Sequence, residues 1–209
     1  MLYHVSLFPV KQFYPRIPVS RCCGENSYIS RISFSQFSAL KALSAIPEGG
    51  RNISCMLKLG ICPVLYVYTI PEDQCILVHY PEEKAKGIRY MEDILEYVPD
   101  SDLTGECWLL DKPDMDMFTC RTFYVSHIEF DISDVDLYII KNIELEPCVN
   151  PESNLDILFA KFRCKCKPDD PGLSEFYYPG NENAFLTYIL DIFEKKRRKL
   201  WNIVLLRTN

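Results

Sequence analysis

Residues 120–132 read CRTFYVSHIEFDI, and residues 136–147 read DLYIIKNIELEP. Both segments are rich in β-branched and aromatic residues and alternate in polarity, which is the pattern of strands with one covered face. In the first, alternation puts Tyr124, Ile128, Phe130 and Ile132 on a core face. His127, Glu129, Asp131 and Arg121 then share a solvated one. The connection SDVD is too short for a crossover, so the two strands form an antiparallel hairpin.

Working outward, CPVLYVYTI (62–70), QCILVHY (74–80) and GECWLL (105–110) read as further strands, the first two joined by a turn at PED. SYISRISFS (27–35) alternates, with Ile29, Arg31 and Ser33 on one side and Tyr28, Ile32 and Phe34 on the other. It leads into a serine-capped helix carrying Phe37, Leu40 and Leu43, stopped at Pro47-Glu-Gly-Gly. YMEDILEYV (90–98) reads as a two-turn helix. LDILFAKFRCKCK (155–167) reads as a strand from the alternation of its second half, and WNIVLLR (201–207) as a closing strand. NENAFLTYILDIFEKKRRKLW (181–201) is a helix with Phe185, Leu186, Ile189, Leu190 and Phe193 in one stripe. Strands dominate without regular β-α alternation. The expected class is therefore α+β, a mostly antiparallel sheet with a few helices. One domain over residues 1–209 is expected, with a weak internal boundary near 148–153.

No run approaches the length of uncharged apolar chain that a membrane helix needs. The opening residues lack a signal-peptide layout, so a cytoplasmic protein is expected. The ten cysteines are then reduced and mostly packed as small apolar groups. Cys22, Cys23, Cys164 and Cys166 would make a four-thiolate set, but their spacing is not that of a zinc knuckle, and no metal is expected.

The net charge of −6 is unevenly spread. Residues 1–60 hold seven Lys/Arg against two acids, residues 61–160 six against 21, and residues 161–209 ten against six. The basic N-terminal part, with Arg16, Arg21 and Arg31 among Ser33, Ser35 and other serines, is a candidate patch for a phosphate-bearing ligand. It has too little glycine for a P-loop or a dinucleotide fingerprint. EKKRRKLW, at a helix C-terminus, is favourable dipole chemistry, and nucleic acid is an unlikely partner on this reading.

The strand LYHVS (2–6) carries one of only three histidines. Alternation places Leu2, His4 and Ser6 on one face and the apolar Tyr3, Val5 and Leu7 on the other, so His4 is expected to face solvent or a cleft. YHVS on a first strand, followed by ISFS running into an alanine-rich helix, resembles the start of the ADP-ribosyltransferase-like fold. The resemblance covers roughly residues 2–45 plus one later acid. It implies NAD as substrate, with His4 on its ribose, Ser6 near the nicotinamide, Ser33 or Ser35 lining the cleft and a late glutamate polarising the ribose. Glu106, beginning a strand after Thr-Gly with Trp108 on its face, is the glutamate of choice. The chain departs from the family pattern at Val5, where the family has glycine, and in lacking a tyrosine in the helix after ISFS. The expected function is an ADP-ribosyltransferase-like protein, a transferase or NAD glycohydrolase, that binds NAD or a related nucleotide. The alternative is a non-enzymatic phage or mobile-element accessory protein that inhibits host defence by binding a host protein or sequestering a nucleotide signal.

Overall fold

The computed structural model describes residues 1–19, 24–134, 137–161 and 182–207, with side chains as far as Lys195. Among the described residues eight strands form one sheet: β1 (Leu2–Ser6), β2 (Ile32–Ser35), β3 (Val64–Ile70), β4 (Cys75–Leu77), β5 (Ile88–Met91), β6 (Glu106–Leu109), β7 (Thr119–Ile132) and β8 (Tyr138–Pro147). Their order is β4-β5-β6-β2-β1-β3-β7-β8. Every neighbouring pair is antiparallel except β4 with β5. Among the described residues the helices are α1 (Ala39–Ser44), α2 (Gly49–Lys58), α3 (Ser101–Thr104), α4 (Asn154–Lys161) and α5 (Glu182–Arg207). The class is α+β, as the sequence pattern requires.

Much of β7 and β8 is exposed, but over the middle strands both faces of the sheet are covered. On one, α1, α2, α4 and α5 bury Leu43, Ile53, Met56, Leu158 and the stripe Phe185–Phe193 against Val5, Leu65, Val125 and Ile140. On the other, Leu2, Phe34, Tyr66, Tyr68 and Tyr90 lie under an extended strap, residues 8–19, and under residues 115–118. A third cluster, around Trp108, Met91 and Ile94, fills the helix-side face beyond β6.

Several elements differ from the sequence reading. Residues 90–98 are not a helix: Tyr90 and Met91 end β5 and are buried on opposite sides of it, in separate clusters. Residues 162–167, whose alternation carried the strand reading of 155–167, lie outside the described residues, but residues 154–161 are helical. Asn154 fixes them, donating to the carbonyls of Leu7 (2.7 Å) and Val64 (2.9 Å) and accepting from the Val64 N–H (2.7 Å). Residues 201–207 continue α5 instead of adding a strand. Helix α2 begins at the Gly-Gly pair expected only to stop α1. A Cβ on Gly50 would lie 2.8 Å from that of Tyr138, so the helix seats on β8 only because the side chain is missing. Phe37, expected in the stripe of α1, is 57% exposed. In β7 an irregularity between Val125 and His127 puts Val125, not Tyr124, in the helix-side core, and a second shift follows at Glu129/Phe130.

Candidate functional site

Register decides which candidate residues can meet. Tyr3 pairs with Ser35, and Ser35 with Glu106, so these three side chains share one face. Ser33 pairs with Trp108 and lies on that face too. The alternating residues, Leu2 and His4 on β1, Phe34 on β2 and Cys107 on β6, point the other way.

The face of His4 is not open, contrary to the sequence reading. The strap folds back over it, and the imidazole sits among Phe13 (centroids 4.9 Å apart), Phe34 (5.4 Å) and Tyr68 (6.2 Å). Its Nδ1 lies 2.9 Å from the Ser33 carbonyl. A carbonyl only accepts, so Nδ1 carries the hydrogen. Burial lowers the pKa of His4 to about 4; the bond to Ser33 opposes this shift and the charge of Arg16 adds to it. At neutral pH His4 is an uncharged structural donor and offers no cation to a phosphate. Ser6 is also engaged, its hydroxyl accepting from the Phe8 N–H at 3.0 Å.

Glu106 lies on the opposite face. Its Oε1 accepts from Trp108 Nε1 at 3.0 Å, and Ser33 lies on the same face. Burial raises its pKa to about 7; the bond from Trp108, the nearby Ser33 and the charge of Arg31 pull it back, while Glu25 adds to the rise. This makes Glu106 a carboxyl that exchanges its proton near neutrality, the property of a general acid or base. Ser33 stands between the two candidates: its carbonyl holds His4, and its side chain lies on the face of Glu106.

The basic patch does not assemble as a phosphate cradle. Arg31 is only 1% exposed. Its guanidinium donates to the carbonyls of Asn26 (3.2 Å) and Ile29 (2.9 Å), pairs with Glu25, and stacks 4.4 Å above the Trp108 ring. Arg16 is exposed and joins Arg31 through backbone only, by two reciprocal bonds of 3.0 Å. Ser35 is fully buried, donating to the Thr104 carbonyl at 2.7 Å and accepting from the Phe37 N–H. Arg21, Cys22, Cys23, Cys164 and Cys166 lie outside the described residues. Among the described residues no group of three or more His, Cys, Asp or Glu is placed to hold a metal ion. No described helix is long and apolar enough to cross a membrane.

The sequence reading missed Phe13, which closes the His4 face, and Glu25, which engages Arg31. No local signal singles out Phe13: Phe8, Val10, Tyr14, Ile17 and Val19 lie in the same proline-broken segment, and packing alone decides that Phe13 is the one buried. Comparison with protein-family models, curated proteins and solved structures finds no match for the chain.

Proposed function

We propose that this chain is a non-enzymatic interaction protein and not an active ADP-ribosyltransferase. The observation that carries the reading is the placement of His4 and Glu106 on opposite faces of one sheet. Ribosyl transfer needs the group that holds the ribose and the acid that polarises it to converge on a single substrate. Here a layer of backbone separates them, and the strap's Phe13 ring occupies the space over His4. The engagement of Arg31 inside the protein removes the cation best suited to a pyrophosphate and supports the same reading.

The test is direct. Incubation of the protein with NAD is expected to release no nicotinamide by chromatography. NAD, ADP-ribose and a cyclic dinucleotide are expected to leave the melting temperature unchanged, whereas a ligand at ~100 times its Kd would stabilise by about 2.7 kcal/mol. Nicotinamide release that His4→Ala or Glu106→Gln abolishes would sink the proposal. A shift with the cyclic dinucleotide alone would replace protein binding by sequestration of a nucleotide.

A further inference from the structure

Resting on that reading, we propose that the outer side of the strap from Lys11 to Val19, together with Lys112, is a preformed docking surface for an extended acidic segment of a partner protein. The strap is fixed at several points. Phe13 is buried in the aromatic nest, Gln12 Nε2 donates to the Pro113 carbonyl (2.9 Å), the Val10 N–H donates to the Tyr68 hydroxyl (2.7 Å), and Arg16 bridges to Arg31. Pro9, Pro15 and Pro18 restrict the backbone further. The Arg16–Arg31 bridge is antiparallel and ties the strap to the segment that leads into β2.

What this element shows to solvent is a mixture of apolar and cationic groups. Tyr14 is 59% exposed, and Ile17 and Val19 are exposed on the same segment. Lys11, Arg16 and Lys112 are exposed and form no ion pair among the described residues. Lys112 Nζ lies 4.7 Å over the Tyr14 ring. Asp114 and Asp116 are also exposed on the neighbouring segment, so the cationic surface is bounded and not a long groove. Exposed aromatic and aliphatic groups interleaved with cations complement a segment in which acids alternate with apolar residues. A polyanion such as nucleic acid fits less well: the chain's net charge of −6 repels it at long range, and Ile17 and Val19 give it nothing to pair with. Because the strap is already ordered, binding costs little further conformational entropy on this side.

The experiment uses the full chain on an array of peptides about 15 residues long in which Asp/Glu alternate with Leu, Val or Phe at varied spacing. Matched lysine peptides and an oligothymidylate of similar length serve as comparators. Retention is expected on the acidic series, weakened about tenfold by K11E/R16E/K112E and again by Tyr14→Ser, and lost at high salt. Circular dichroism checks that the variants stay folded. No retention on any acidic peptide, equal retention by the charge-reversed protein, or a preference for oligothymidylate would overturn the assignment. Nicotinamide release in the NAD assay would instead remove the parent reading and leave the array result to be judged separately.

Discussion

Across the width of two strands, the sheet treats its two polar candidates in opposite ways. On the strap side, His4 is held uncharged among aromatic rings. On the other, Glu106 sits with Arg31, Glu25, Ser33 and Trp108, where burial pushes a carboxyl up toward neutrality. Burial disfavours the charged form in both places, so it lowers the base and raises the acid. Two perturbed groups with only β2 between their strands look like an active site until the faces are assigned. The difference teaches that a shifted pKa marks a desolvated group, and that only convergence makes a site.

The largest test of this contrast is Arg31→Ala. It leaves Glu25 without its buried partner and uncovers Trp108, and is expected to cost about 3–5 kcal/mol in urea unfolding. Glu25→Gln with Arg31→Met removes both charges and is expected to recover much of that loss. If Arg31→Ala proves nearly neutral, the cluster around Trp108 is not the internal ion pair described.

Titration gives the next effect, with opposite signs on the two faces. Glu106 has a folded pKa of about 7 against 4.5 for the ordinary group, so the folded state holds its proton longer. Its contribution is intact below pH 4.5 and is lost as pH rises to 7, by about 3 kcal/mol. His4 has a folded pKa of about 4 against 6.5, so the unfolded state takes up the proton first. Its contribution is intact above pH 6.5 and is lost as pH falls to 4, again by about 3 kcal/mol. Stability curves measured from pH 4 to 8 should lose their alkaline slope in Glu106→Gln and their acid slope in His4→Gln. A single variant that flattened both limbs would mean that the two groups are coupled across the sheet.

The smallest effect sharpens the comparison most. Ser33→Ala deletes the hydroxyl on the face of Glu106 but keeps the carbonyl that serves His4. It is expected to cost about 1 kcal/mol and to raise the Glu106 pKa further, with the His4 titration unmoved in NMR. Movement of the His4 titration would show that the faces communicate through this residue.

Much of the architecture was legible in the residues. The hairpin of β7 and β8 and the apolar stripe of α5 are written in local periodicity, and local periodicity is what folding preserves. Helix α2 was not legible, because the glycines that license its contact with Tyr138 look like a stop. The candidate site was read least well. Alternation correctly separated His4 from Val5, but it does not say that Phe13, nine residues on, returns to close the His4 face. Nor does it reveal that Glu106 stands opposite Ser35 and so shares a face with Tyr3. Both facts belong to register and long-range packing, which no local window contains.

Asn154 has a consequence in time as well as in space. Its three bonds reach Leu7 and Val64, 147 and 90 residues away along the chain. Those backbone groups stand ready only after the end of β1 and the start of β3 have been brought together. Helix α4 therefore has nothing to latch onto early and is expected to dock on the far side of the folding barrier. Loss of the amide in Asn154→Ala should quicken unfolding while leaving the refolding rate nearly untouched. The residue is a clasp that governs how long the native protein lasts, not how fast it forms.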